Sequence, residues 1–311
     1  MSKLAVVQAP PVMLDRDATL EIAIRYVDEA VDAGAKMVVF PEAYVCGYPS
    51  WIWRLRPGAD WDLSERLHGR LLDQAVNIER GDLEPLCEAA RRNQVCVMCG
   101  MNEREGAPGR ATLYNTYVVI GADGEILNRH RKLMPTNPER MVWGFGDGSS
   151  LNVVDTHCGR AGTLICWENF MPLARYALYA QGIELYVAPT YDSGDDWIGS
   201  LRHIAREAGC WVVGSGNLLR GSDMPIDIDG VQALFTDPEE WVNPGDSVVI
   251  APGGEVVAGP LRNEQGLLFA DIDLERVSTA RRTLDIVGHY ARPDLFQLQV
   301  NRQLQSPVVF K

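Results

Sequence analysis

The chain has 311 residues, 46% of them apolar, and a formal net charge of −13. That charge argues against nucleic acid or an anionic membrane surface as a partner, because both require a basic face. Seven cysteines, an odd number without a secretory leader pattern, exclude a disulfide framework, and no run approaches the roughly 18 apolar residues of a membrane span, so a cytoplasmic protein is expected. No Ser/Gly-rich linker, charge block or internal repeat divides the sequence, which reads as a single domain over residues 1–311 with a short C-terminal tail from about residue 273.

In chain order, Leu4 to Ala9 reads as a buried strand, and Leu20, Ile24, Val27 and Val31 recur at helical spacing until Gly34. Met37 to Phe40 is the next strand, giving a β-α-β start of an α/β fold, and Glu42 follows directly. Tyr44, Tyr48, Trp51, Trp53 and Trp61 then form a dense aromatic group that either packs a loop or walls a pocket. Leu67, Leu71 and Ala75 mark one helix and Leu83, Leu86 and Ala90 another, leading into a strand near Val95. In that strand Cys96 and Cys99 stand three apart and face opposite sides, which speaks against a metal or redox pair.

Tyr114 to Ile120 and Glu125 to His130 flank Gly121-Ala-Asp-Gly124 as a hairpin, so the sheet is mixed. Lys132 ends the hairpin, and Glu139 follows in a loop carrying Pro135 and Pro138, where a lone carboxylate is ordinarily solvated; Asp147 reads as a turn residue. Strands are expected over 151–154 and 160–166, the second stopping at Cys166 and turning polar at once through Trp167, Glu168 and Asn169. A helix through Leu173, Ala177 and Ala180 ends at Gly182, and 184–189 is a strand that opens into the polar loop Thr190 to Asp196. Ile198, Leu201, Ala205 and Ala208 trace one helix face. Strands over 211–214 and 248–250, a hairpin through Gly253-Gly254 and a last core strand over 266–272 precede a basic helical end.

An isolated cysteine in an apolar run ordinarily behaves as a small buried hydrophobe. Here, however, Glu42, Lys132 and Cys166 each follow a separate strand, at the edge where α/β sheets present reactive groups. Their convergence suits acyl transfer, in which a thiolate attacks, a carboxylate carries protons and an ammonium steadies developing negative charge.

The ordered set Phe40-Pro41-Glu42, His130-Arg131-Lys132 and Cys166-Trp167-Glu168-Asn169 resembles the nitrilase superfamily of carbon–nitrogen hydrolases. Residues 42–53, 132–148, 166–175 and 289–294 are similar to its nitrilase branch. The resemblance implies a four-layer α-β-β-α sandwich with mixed sheets, no cofactor and no metal. It implies hydrolysis of a small-molecule nitrile to the carboxylic acid and ammonia through a covalent thioimidate and thioester on Cys166. Glu42 would act as base and Lys132 as charge stabiliser, and the lysine is expected to lower the thiol's pKa. Glu139 would be a second carboxylate that orients water or Lys132. Backbone N–H groups near Trp167 would supply part of the oxyanion site, and Tyr48, Trp53, Trp167 and Thr190 are expected to bind substrate. If the aromatic group walls the pocket, an aryl or arylalkyl nitrile is favoured. The competing readings are an amidase or carbamoyl amidohydrolase, a cyanide-degrading enzyme, a silent assembly protein of the same fold and a thiol redox sensor. The helix after Met171 and the short tail are expected to join copies into a homo-oligomer, at least a dimer.

Overall fold

Apolar alternation and β-branched residues set the strands, and each buried aliphatic side chain contributes roughly 1.5–3 kcal/mol. In a computed structural model, which describes residues 1–56, 58–106, 109–306 and 308, the first half runs β1 (Ser2–Gln8), α1 (Arg16–Asp32), β2 (Met37–Val39), α2 (Trp61–Gln74), α3 (Glu84–Asn93), β3 (Cys96–Arg104), β4 (Leu113–Ile120) and β5 (Ile126–Arg131). The second half runs β6 (Val154–Thr156), β7 (Gly159–Thr163), α4 (Pro172–Tyr179), β8 (Leu185–Thr190), α5 (Asp195–Ala208), β9 (Trp211–Gly216), β10 (Leu218–Arg220), α6 (Val231–Leu234), β11 (Trp241–Ile250), β12 (Val256–Arg262), β13 (Gly266–Ile272) and α7 (Glu275–Thr283).

Two mixed sheets result. The first has the order β13-β1-β2-β3-β4-β5, and the second β10-β11-β9-β8-β7-β6 with β12 on β11. Each contains a parallel centre, β1-β2-β3 in one and β7-β8-β9 in the other, and antiparallel flanks. The two-residue period of a strand then sorts side chains into layers. Val6, Val39, Met98, Tyr117, Val187, Val213 and Val249 fill the space between the sheets. Ala5, Val7, Val38 and Val97 face away from it, onto Ala23 and Val27 of α1 and Leu86 and Ala90 of α3. Tyr186, Ala188, Val212 and Ile250 do the same on the other side, onto Leu178 of α4 and Leu201, Ile204 and Ala205 of α5. The architecture is the α-β-β-α sandwich anticipated from the sequence. Cys96 lies in the inter-sheet layer and Cys99 in the helix-side layer, on opposite faces of β3 as their spacing requires.

Some boundaries differ from the sequence reading. Strand β7 stops at Thr163, so Cys166 stands beyond the ladder and opens a 3₁₀ turn over Cys166–Phe170. Strand β11 starts at Trp241, well before the expected residue 248, and its first part pairs with the unanticipated β10. Asn243, Pro244, Gly245 and Asp246 interrupt the apolar alternation there, because the buried polar members serve tertiary bonds: Asn243 Nδ2 donates to the Tyr191 carbonyl and the Gly194 N–H to Asp246 Oδ2 (2.7 Å), and next to them the Ser247 N–H donates to Gln8 Oε1 (2.9 Å). Among the described residues no helix is long and apolar enough to cross a membrane.

Gly100 sets how closely the segment after β2 can approach β3. A Cβ at this position would stand 2.3 Å from the Pro41 carbonyl oxygen and 2.6 Å from the Ala43 nitrogen. Both are backbone atoms on either side of Glu42, so they cannot swing aside. Gly100→Ala is therefore expected to cost about 1–3 kcal/mol by overpacking, read as a lower midpoint in urea unfolding; an unchanged midpoint would show that the loop carrying Glu42 adapts freely.

Candidate functional site

Three chain segments leave their sheets at one end and place buried ionisable groups together. After β2, Phe40 N–H still donates to the Met98 carbonyl (2.8 Å) and Val45 N–H to the Gly100 carbonyl (3.0 Å), so the loop holding Glu42 is fastened to β3 at both ends. Ala43 takes a left-handed φ of 48° within it. After β5, Lys132 N–H donates to the Asn115 carbonyl (2.8 Å) and extends the ladder by one residue. Cys166 itself has a φ of 53°, a conformation that costs a non-glycine residue on the order of 1–3 kcal/mol unless its surroundings impose it. Asn169 imposes it: its Nδ2 donates to the Leu164 (2.9 Å) and Cys166 (2.7 Å) carbonyls, while Tyr186 Oη donates to its Oδ1 (2.7 Å).

The side chains form one buried network. Lys132 Nζ donates to Glu42 Oε1 (2.8 Å) and Glu139 Oε2 (2.7 Å), and all three are essentially inaccessible to solvent. Glu42 Oε1 also accepts from Asn115 Nδ2 (2.7 Å), and Oε2 from the Tyr191 N–H (2.7 Å). Asn217 Nδ2 ties the Glu42 carbonyl (3.0 Å) to that of Thr190 (3.1 Å). Glu139 sits in a 3₁₀ turn over Asn137–Met141, where its Oε2 accepts from the Thr136 N–H (2.6 Å) and its Oε1 from Tyr48 Oη (2.7 Å). Far from being a solvated loop carboxylate, it is a buried member of the cluster. Thr190, the last residue of β8, donates through Oγ1 to Cys166 Sγ (3.3 Å).

The electrostatics follow from burial. Burial disfavours the Lys132 ammonium, yet Glu42, Cys166 and Glu139 raise its pKa above the usual lysine value and keep it charged. Burial pushes Glu42 up, against the pull of Lys132. The Cys166 thiol is pushed up to about 12, first by burial and then by Glu42, although Lys132 pulls it down. This corrects the expectation that the lysine leaves the thiol acidified: its effect has the anticipated sign and is outweighed. A thiol so placed needs a base at the moment it reacts, and the carboxylate whose field it feels most is Glu42, ahead of Glu139.

The four residues expected to contact substrate have different environments. Tyr48 is fully buried, stacked on Tyr191 with ring centroids 3.7 Å apart, and hydrogen-bonded to Glu139. Trp53 is 46% exposed and donates through Nε1 to Tyr48 Oη (3.1 Å). Thr190 lies on the Cys166 thiol, whereas Trp167 is 46% exposed and donates to Asp192 Oδ2 (2.8 Å). The aromatic group as a whole is divided, with Tyr44 and Trp51 in the helix-side core and Trp61 62% exposed on α2. Trp51 and Trp61 nevertheless line one cleft together with Ile52, Leu55 and Leu71. Asp147 accepts from the Ser149 N–H (3.0 Å), as a turn residue does. Asn115, Tyr191 and Asn217 were not singled out from sequence; a buried polar residue inside an apolar strand run was the available signal for the first. Among the described residues, no three His, Cys, Asp or Glu side chains cluster in a way that could hold a metal ion.

The family model for carbon–nitrogen hydrolases matches residues 3–282. Nitrilase 2 of Arabidopsis thaliana is 42% identical over 99% of this chain and 91% of its own length. An aliphatic nitrilase of Sinorhizobium fredii is 40% identical over 99% of this chain and 98% of its own. Among solved structures, a carbon–nitrogen hydrolase from Helicobacter pylori superimposes with a TM-score of 0.70 at 21% identity, over 94% of this chain and 96% of that one.

Removing the buried cation should be costly because two carboxylates depend on it. Lys132→Met is expected to lose about 3–5 kcal/mol of stability, the cost of orphaning buried charge. Adding Glu139→Gln to Lys132→Met should restore part of that loss, since one of the two stranded charges is gone. Thermal unfolding of the two singles and the double tests the coupling, and strict additivity would dissolve the network.

Proposed function

This chain belongs to the carbon–nitrogen hydrolase family, and from that membership and the buried Glu42, Lys132 and Cys166 cluster we propose a nitrilase that converts an organic nitrile to its carboxylic acid and ammonia. The observation that carries the catalytic assignment is the ammonium of Lys132 bonded to Glu42 at 2.8 Å beside the Cys166 thiol. Glu42 takes the thiol proton as Sγ attacks the nitrile carbon. Two of the three N–H bonds of Lys132 go to Glu42 and Glu139, which leaves the third for the nitrile nitrogen. That nitrogen gains a proton as the thioimidate forms. Water adds with loss of a proton to a carboxylate, ammonia leaves, and a second water cleaves the thioester to release the acid and restore the thiol. Each tetrahedral centre builds negative charge next to Lys132, where a fixed charge in a dry site is most effective.

Kinship of 40–42% identity to nitrilases over nearly the whole chain favours a nitrile over an amide as the natural substrate. Measured kcat/KM for matched nitrile and amide pairs is expected to favour the nitrile, and the reverse order would place the protein among the amidases. Cys166→Ala should abolish turnover while leaving the fold intact. The role of Glu42 has a test of sign. Glu42→Gln removes a neighbouring negative charge and so eases thiol ionisation; were Glu42 only an electrostatic neighbour, kcat would rise. As general base its loss should lower kcat by about 100-fold or more.

The reading extends to a second copy of the chain as a partner. Phe170, Met171 and Leu173 around the start of α4, and Leu295 and Phe296 on the tail, are exposed apolar groups that support self-association into at least a dimer. Light scattering on the eluted protein would expose a monomer if this part fails.

A further inference from the structure

Glu168 is a buried carboxylate that the proposed chemistry does not use, and it is bonded on every side. Its Oε2 accepts from the Ile165 N–H at 2.6 Å, and its Oε1 from the Leu133 N–H at 2.6 Å. His130 Nε2 stands 3.0 Å from Oε2 and 3.2 Å from Oε1, and since a carboxylate only accepts, this nitrogen carries a proton. The other ring nitrogen meets the Ser150 hydroxyl at 3.0 Å. Glu168 and His130 are both inaccessible to solvent.

The two backbone donors define the significance of the bridge. Ile165 immediately precedes Cys166, and Leu133 immediately follows Lys132. No β-ladder joins the strands that deliver them: β5 is the edge of one sheet and β7 lies near the edge of the other. The packing between the sheets is largely apolar, with polar ties such as that of Ser247 to Gln8 (2.9 Å) lying on other strands. Apolar packing fixes separation far more loosely than bonds of 2.6 Å to a single rigid carboxylate. We propose that Glu168, held by His130, is a positioning residue that sets the placement of the nucleophile relative to the catalytic ammonium by bridging the backbone on both. This rests on the nitrilase reading of the site above. A carboxylate is required because all three partners donate. An amide would turn an N–H toward at least one of them, and the shorter Asp would reach across less of the gap.

Wild type and Cys166→Ala, assayed first on a nitrile, decide whether Cys166 turnover occurs at all, which separates failure of the function from failure of this inference. Glu168→Gln is then expected to lower kcat by about 100-fold, as a misplacement near 1 Å does, with KM little changed and the pH profile of kcat displaced because Lys132 no longer holds its distance from Glu42 and Cys166. A folded Glu168→Gln protein with wild-type kcat and pH profile would overturn the proposal. So would one that merely melts earlier yet turns over at full rate well below its transition. Should Glu168→Gln fail to fold, the His130 pair decides. His130→Gln still donates to Glu168 and should retain near wild-type kcat, while His130→Leu should lose about tenfold, the worth of one charge-assisted bond. Equal kcat in the two His130 variants would overturn the bridge.

Discussion

Everything at the site depends on one buried ammonium. Lys132 sits where burial disfavours its charge, and Glu42, Cys166 and Glu139 favour it, the two carboxylates through direct contact. The dependence is mutual, since the carboxylates would each be an uncompensated buried charge without the lysine. A single positive charge faces two carboxyl groups and a thiol. The raised pKa values of Glu42 and Cys166 come first from burial and then from the neighbouring carboxylates, against the pull of Lys132. A proton is thus retained on the Cys166 thiol at rest.

The backbone around this cluster is held against its own preferences. Ala43 and Cys166 both adopt left-handed φ values close to the groups they position, and in each case neighbouring bonds impose the conformation. Gly100 makes room beneath the Glu42 loop, and Asn169 and Tyr186 brace the turn at Cys166. Much of the polar bonding at this end of the sandwich runs between segments remote in sequence: Asn217 to Glu42, Tyr191 to Glu42, and Glu168 to Leu133. Precision of placement comes from these directional bonds, because apolar contact between the sheets tolerates small slides that a charge-assisted hydrogen bond does not.

Amino-acid order alone determined the α/β class, most strands and helices, and the presence of Glu42, Lys132 and Cys166 each just past a strand. It could do so because strand and helix periods are local, and because a reactive side chain at a strand's carboxyl end is a local pattern as well. The opposed faces of Cys96 and Cys99 were legible for the same reason. Tertiary structure alone decided the rest. Local pattern alone leaves Glu139 looking like a solvated loop carboxylate; the resemblance to the nitrilases singled it out, and its burial appears only when Lys132, Thr136 and Tyr48 surround it. The aromatic residues from Tyr44 to Trp61 share a composition but not an environment. The thiol's raised pKa depends on burial and on charges 34 and 124 residues away, at Lys132 and Glu42, and the early start of β11 depends on a partner strand, β10, too short to announce itself. Each of these is a property of distances between remote segments, which local periodicity does not encode and which only the closing of two sheets on one another brings into being.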